Sequence, residues 1–317
     1  MERPNEIRQH ITAIEQTRKI TGAMELISSN RMRQVMSHIE HNRRYFTYIR
    51  RTMKELLTSS QNVSHPFLLE RPRHHVTFLV IAGDKSLCGS HNSTILNFAL
   101  EHYRGLREQN AKDEQASGMW EMSGKQHDPG PSLITIGHTA EAFFLTRGIT
   151  PDVCLLGIAQ DPTLTRAREV ARMLTNLYEE EVTDEIRVVF TSFYGETRSK
   201  PVEFRLLPVR LHDYEDVRDA ESLDEIIYHP SAQLVLDMMV PQYIIGLIFG
   251  VMVQAYASEH FARMTAMHSA TTNAQDMIDN LRTKYNLARQ NAITNEIAEI
   301  AGGAETIRGD SNEYYQQ

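Results

Sequence analysis

The stretch Ala257–Ala304, ASEHFARMTAMHSATTNAQDMIDNLRTKYNLARQNAITNEIAEIAGGA, keeps its apolar residues at the three- and four-residue steps of a helix. Leu234, Met238, Tyr243, Ile244, Leu247 and Val251 continue that spacing toward the N-terminus, and Met264, Met267, Ile278, Leu281, Tyr285, Ile293, Ile297 and Ile300 carry it onward. One helix is therefore predicted over 231–307, ~110 Å long at 1.5 Å per residue. Pro241 is the exception, a kink in this helix or a joint between two pieces. Gly302 and Gly303 loosen the backbone, and 308–317 is expected to be a polar, disordered tail. Ala262, Ala266, Ser269 and Ala270 put small residues on one side, which predicts a close helix crossing.

The other end of the chain repeats the theme. Residues 1–57 carry a stripe of Ile7, Ile11, Ile14, Ile20, Met24, Ile27, Met32, Val35, Ile39, Phe46, Ile49, Met53 and Leu56, and between Asn5 and Leu57 the one glycine is Gly22. Pro4 sits where a first helical turn tolerates it. Such length points to a coiled coil. Each stripe is too narrow to be a core by itself, so the two terminal helices are expected to bury their stripes on each other, antiparallel.

Between them the period changes. Val76–Ala82, Leu133–Gly137, Val153–Leu156, Ile186–Phe193 and Val202–Pro208 read as strands, and Ile95–Gln109, Thr139–Arg147 and Leu164–Glu181 as helices. The alternation predicts a Rossmann-like, doubly wound α/β domain over 75–210. Asn110–Pro131, rich in Gly, Gln, Asp and Ser, is expected to be a surface loop insertion, and 211–230 a second long loop. The fold class is thus α/β: a long antiparallel coiled coil of terminal helices plus a Rossmann-like domain.

Composition narrows the function. With 41% hydrophobic residues the chain can bury a sizeable core. The apolar runs Val76–Ala82 and Tyr243–Val253 fall short of a bilayer span. The start, MERPNEIRQH, has neither a signal core nor transit-peptide character, so residence in a reducing cytoplasm and a bacterial origin are expected. Cys88 and Cys154 lack metal-ligand or CxxC spacing and read as structural thiols. A net charge of −8 argues against nucleic-acid binding, yet residues 1–57 hold eleven Lys/Arg against six Glu, which suggests an acidic partner surface. Methionines along the helical stripes read as adaptable core filler, or as a surface that repacks against more than one partner.

Catalytic motifs are absent. Gly83–Asn92, GDKSLCGSHN, stands where phosphate loops live, after the first strand, but it is neither GxGxxG nor GxxxxGK[ST]. A tight turn at Gly89, a helix cap from Ser90 or Asn92 and a Cys88 packed beneath account for it. The fourteen histidines include no HExxH, and no GxSxG elbow occurs. No cofactor is expected.

Three segments resemble the gamma subunit of F-type ATP synthases. Ile7–Arg33, IRQHITAIEQTRKITGAMELISSNRMR, is similar to that family's N-terminal helix, and Ser86–Asn92, SLCGSHN, to its L-C-G-x-x-N turn. Ala257–Ala304 follows S-E-x-x-A-R-M-x-A-M-x-x-A-T-x-N-A and then Y-N-x-x-R-Q-x-x-I-T-x-E-I-x-E-I. Departures are Gly22 in place of a basic residue, Lys85-Ser86 in place of Arg-Gly, the 110–131 insertion and the tail. The resemblance implies a non-catalytic rotating central shaft in a translocase complex, coupling proton or sodium flow to ATP synthesis or hydrolysis. It implies alpha and beta subunits around the shaft, an epsilon subunit and a c-ring at its foot, and peripheral residence at the cytoplasmic face of the bacterial inner membrane. Lys19, Thr21, Met24, Arg31, Arg33, Arg289, Gln290, Thr294 and Glu296 are implied beta-subunit contacts. Ile293, Ile297, Ile300 and Ala304 are an implied apolar bearing, and Tyr228 and Pro230 belong to the implied foot. A divergent ion-pumping paralogue, a non-rotary coiled-coil adaptor and a Rossmann-like enzyme of small molecules are the alternatives.

Overall fold

The computed structural model describes residues 3–59, 63–73, 75–117, 130–193, 199–210, 229 and 231–313. They fall into two compact units, Ser28–Met264 on the one hand, and Met1–Ile27 with Thr265–Gln317 on the other.

The larger unit is built on a five-stranded sheet. Its elements are the C-terminal part of α1 (Pro4–Ser59), β1 (Val76–Ile81), α2 (His91–Ser117), β2 (Ser132–Ile136), α3 (His138–Leu145), β3 (Val153–Leu155), α4 (Leu164–Glu179), β4 (Glu185–Phe193), β5 (Ser199–Leu207) and the first part of α5 (Ala232–Glu313). Strand order is β3-β2-β1-β4-β5, parallel except for the β4–β5 pair. This is the doubly wound order, with its switch point between β1 and β4. All six residues of β1, VTFLVI, are buried, as a central strand covered on both faces requires. Alternate side chains serve opposite faces. Phe78 and Val80 pack with Ile95, Ala99 and Tyr103 of α2 and Phe144 of α3. Leu79 and Ile81 join Val170, Leu174 and Tyr178 of α4, Met53 and Leu56 of α1, and Ile244, Ile248 and Val251 of α5. Thr163 caps α4, its side chain accepting from the Arg166 amide at 3.3 Å.

Three expectations about the helices are corrected. Residues 110–117 are helical, not loop: NAKDEQAS lacks Gly and Pro, favours helix, and meets its first glycine at Gly118. Helix α5 runs past residue 307 to Glu313, so 308–313 are not part of a disordered tail. Each glycine taxes a helix by only ~1 kcal/mol, and extending an existing helix is far easier than nucleating one. Pro241 lies inside a continuous helix and does not divide it.

From Met238 to Ser258 there is no charged side chain, and a window of α5 reaches a mean hydropathy of 1.9, long and apolar enough to cross a membrane. The expectation that no run is long enough is thereby corrected. Every residue from 243 to 260 is buried or half-buried. One side lies on the sheet, and Val253, Tyr256 and Ala257 cluster with Val35 and Met32 of α1 and Phe193 of β4. A helix apolar all round is here a core helix.

In the smaller unit α1 and α5 are antiparallel. Glu15 pairs with Arg282 at 3.1 Å, Arg18 with Gln275 at 2.5 Å, Thr21 with Thr271 at 2.8 Å and Glu25 with His268 at 3.0 Å. Ile7, Ala274, Ile278 and Met267 are its buried apolar residues. The seam steps through Ile7, Ile11, Ile14, Arg18 and Thr21 on α1 and Met267, Thr271, Ala274, Ile278, Leu281 and Tyr285 on α5, all buried or half-buried. Alternating steps of four and three make a heptad pattern. Ile20 and Ile27, expected on the buried stripe, are 62% and 57% exposed. At the expected close crossing, Ser269 is exposed and Ala266 and Ala270 are half-buried, while Gly22 comes within 4.0 Å of Thr271 Cγ2, measured from an added Cβ.

Candidate functional site

The crevice at the carboxyl end of β1, where open α/β sheets hold ligands, is filled from within. The loop after β1 is tied at several points. Asn92 Oδ1 accepts from the Gly83 amide at 3.3 Å while its Nδ2 donates to the Lys85 carbonyl at 3.1 Å. The Thr139 hydroxyl donates to the Gly83 carbonyl, and Asp84 Oδ1 accepts from the His138 amide at 2.8 Å. Gly89 takes a positive φ of 59°, as the turn requires, and Leu87 shares that region at 66°. Cys88 is buried, its thiol 3.9 Å from the Lys85 carbonyl. The expected cap works differently: the Ser90 carbonyl accepts from the Thr94 amide at 2.9 Å, and Asn92 braces the loop.

Onto this loop α5 lays Glu259 and Arg263, both buried and paired at 2.6 Å. Arg263 also donates to the carbonyls of Lys85 at 3.4 Å and Ser86 at 3.3 Å. The Glu259 carboxylate sits so close to Gly83 that an added Cβ would lie 2.8 Å from its Cδ. What remains is a cavity of about 10 Å³ lined by Gly83, His91, Tyr256 and Glu259, among others, the room of about one water. A carboxylate thus rests against the Gly83 backbone just beyond the end of β1. Burial raises the Glu259 pKa, and Arg263 opposes the rise. Burial, then Arg263, lowers His91 to about 4, and burial with Arg263, Arg31 and Lys85 lowers His260 to about 4. Burial raises the Cys88 thiol, so the loop offers no activated nucleophile. Among the described residues no group of three or more His, Cys, Asp or Glu could hold a metal.

The sequence-derived contact residues lie elsewhere, along the helices. Lys19 is exposed on α1, Met24 half-buried, and Thr21 buried against Thr271, facing α5 rather than outward. Arg31 and Arg33 belong to the larger unit and are exposed, Arg31 reaching the Tyr256 hydroxyl at 3.5 Å. Arg289, Gln290, Thr294 and Glu296 are exposed on α5, with the Thr294 hydroxyl bonded to the Gln290 carbonyl at 2.9 Å. Ile293, Ile297 and Ile300 are exposed too, Ile300 at 73%. At 100° per residue these seven residues spread over about 160° of the circumference of α5, with Glu296 within about 20° of the line of Tyr285. The antiparallel register, with Arg18 beside Gln275 and Thr21 beside Thr271, brings Pro4 at the start of α1 opposite roughly residue 289, which leaves about 24 residues of α5, ~36 Å, with no described part of α1 beside them. The side chain of Ala304, and Tyr228 and Pro230 altogether, lie outside the described residues. Ile20 and Ile27 of α1, expected on the buried stripe, are exposed, as are Leu26 on α1 and Met277 and Leu287 on α5. Counting sevens from Ile7 would have flagged Ile20 and Ile27, because Ile14 and Thr21 then fall on the seam.

A family model described as ATP synthase matches residues 3–307. The chain is 32% identical over 305 residues to the ATP synthase gamma chain of Alkaliphilus metalliredigens, covering 96% of this chain and 98% of that one. It is 33% identical over 308 residues to the gamma chain of Ruminiclostridium cellulolyticum, covering 95% and 98%. Among solved structures it is similar to a chain of the Euglena gracilis mitochondrial ATP synthase, OSCP/F1/c-ring, with a TM-score of 0.60 at 15% identity, covering 97% and 95%. A chain of the Tetrahymena thermophila mitochondrial ATP synthase central stalk and c-ring gives 0.54 at 17% identity, covering 79% and 99%. The structural likenesses bear on the fold, the family match on kinship, and together they define a subunit of an ATP synthase. With relatives 32% and 33% identical and aligned nearly end to end, the chain belongs to the ATP synthase gamma chain family.

Proposed function

We propose that the chain is the rotating central shaft of an F-type ATP synthase and performs no catalysis itself. The α5 overhang carries this reading: a helix end with polar residues Arg289, Gln290, Thr294 and Glu296 interleaved with bare Ile293, Ile297 and Ile300. Such an end is asymmetric about its own axis. Inside a ring of alternating alpha and beta subunits, each angular position would set a different flank against each beta subunit. A partner shifts an equilibrium only through unequal affinity for its states, so asymmetric contact is what couples angle to catalytic state. The apolar side chains suit a bearing that forms no fixed hydrogen bonds. The filled crevice supports a role without nucleotide, since the Glu259–Arg263 pair leaves room for about one water beside Gly83.

In this reading c-ring and epsilon subunits dock at a foot that includes 211–230 with Tyr228 and Pro230. The complex holds the chain peripherally at the cytoplasmic face of a bacterial inner membrane, and proton or sodium flow turns it. The test is a complex reconstituted with alpha, beta, epsilon and c subunits and carrying Arg289→Ala with Gln290→Ala. ATP-driven ion pumping should fall about tenfold, the loss expected for ~1.4 kcal/mol of coupling free energy, while the helix content of the purified chain stays unchanged. Pumping at the original rate would overturn the contact assignment.

A further inference from the structure

We infer that Leu87 is a partner contact, held out on the loop after β1 to enter an apolar cleft of the ring of alpha and beta subunits. The residue is a leucine in an unfavourable backbone state for its type. Its φ of 66° lies in the left-handed region, which crowds the Cβ of any L-residue and suits Gly or Asn. Gly89, two residues on, takes a φ of 59° without that cost. Burial within the chain does not offset the strain: Leu87 is 55% exposed and joins none of the apolar clusters around α4, α2 or Val253. A single exposed leucine is ordinary, but one kept in a strained backbone points to a use for its side chain elsewhere.

The loop gives the residue no easier conformation. Turning φ of Leu87 would swing the Ser86 peptide group, whose carbonyl accepts from Arg263 at 3.3 Å. On the other side the Cys88 carbonyl accepts from the His91 amide at 3.2 Å, and Cys88 itself is buried. The Lys85 carbonyl accepts from Asn92 at 3.1 Å and from Arg263 at 3.4 Å. Leu87 is thus an apolar side chain on a backbone fixed before any partner arrives, which avoids the ordering entropy that a flexible loop would lose on binding. Its height along α5 selects the partner. Arg263, which holds the loop, stands ~46 Å along the helix from Ala232, where α5 begins after the proposed foot. His268, only ~8 Å further on, pairs with Glu25, the neighbour of the implied beta-subunit contact Met24. Along the helix the loop is therefore close to the ring and far from the foot.

This contact rests on the shaft reading, and one titration separates the two. Fluorescently labelled full-length chain is titrated with purified alpha and beta subunits, and its melting is followed alone. Leu87→Gly and Leu87→Asn should weaken binding to the ring about tenfold, the equivalent of one leucine left unburied. Both should melt within about 2 °C of the parent, because relief of strain offsets the lost side chain. Leu87→Met, apolar and of similar volume, should bind within about threefold of the parent. Undiminished binding by the Gly and Asn variants would overturn the contact and leave the shaft reading standing. So would a fall in melting temperature well beyond that range, since the leucine would then serve the fold. Binding by the Met variant as weak as that of the Asn variant would also overturn it, because an apolar cleft accepts either side chain. A parent chain that does not bind the ring would sink the shaft reading, and this contact with it.

Discussion

The α5 helix meets two opposite environments. Around Glu259 and Arg263 it is sealed against β1, its charges neutralise each other, and the space left admits one water. From Arg289 onward it has no α1 beside it, and its isoleucines face outward. The first region spends its polar groups on internal order, and the second leaves polar and apolar groups alike available to partners. A substitution should therefore act on folding in the one and on assembly in the other.

The largest effect expected is at the sealed end. Glu259→Ala would leave the Arg263 guanidinium buried without its counter-charge, at a cost of about 3–5 kcal/mol measurable by urea unfolding. Glu259→Met with Arg263→Leu should recover most of that loss, because replacing both charges removes the desolvation penalty. If the single variant unfolds at the parent's urea concentration, the crevice is not sealed by this pair.

Acid should act on the same region. His91 is held near 4 against an ordinary 6.5, so the unfolded chain binds more protons between those values. The stability this histidine contributes is present above about 6.5 and is lost as pH falls toward 4, on the order of 2–3 kcal/mol, with His260 adding a smaller share in the same direction. His91→Gln should flatten the fall between those limits in pH-dependent melting, and an unchanged slope would mean that the imidazole is not protected as described.

Smaller effects belong to the smaller unit. Gly22→Ala should stabilise the helix by ~1 kcal/mol, since the new methyl would meet Thr271 Cγ2 at an ordinary 4.0 Å; a lower melting temperature would show the helices closer than described. Ile297→Ala, at a side chain 62% exposed, should change stability by less than ~0.5 kcal/mol. A loss of several kcal/mol there would erase the contrast between the two ends.

How far the chain could be read in advance follows the range of the interactions. Apart from α2, which starts four residues before and ends eight residues after its expected bounds, the strands and helices of the α/β domain stand within a few residues of their expected positions, because their signals are local: an apolar VTFLVI, a period of two or of 3.6. The coiled-coil face was harder. Ile20 and Ile27 are the larger apolar residues, yet Thr21 lies on the seam, and one residue is 100° of helix. The filled crevice was not legible at all, because nothing near Gly83 in the sequence announces that a glutamate on the last helix will rest against it. Glu259 and Arg263 could be seen only as part of a family pattern. Length misled in the opposite way at 238–258, where a run that is a span by composition is a core helix by surroundings.

That uncharged run has a consequence for the nascent chain. It leaves the ribosome after the sheet it covers, so the α/β strands can be paired and waiting when it emerges, as domains that fold during synthesis allow. Were the sheet late, twenty-one uncharged residues, Met238–Ser258, would face an insertion machinery that recognises them by hydropathy alone. Timely closure of the β1–β4 platform would give this segment a protein surface to bury against as it emerges.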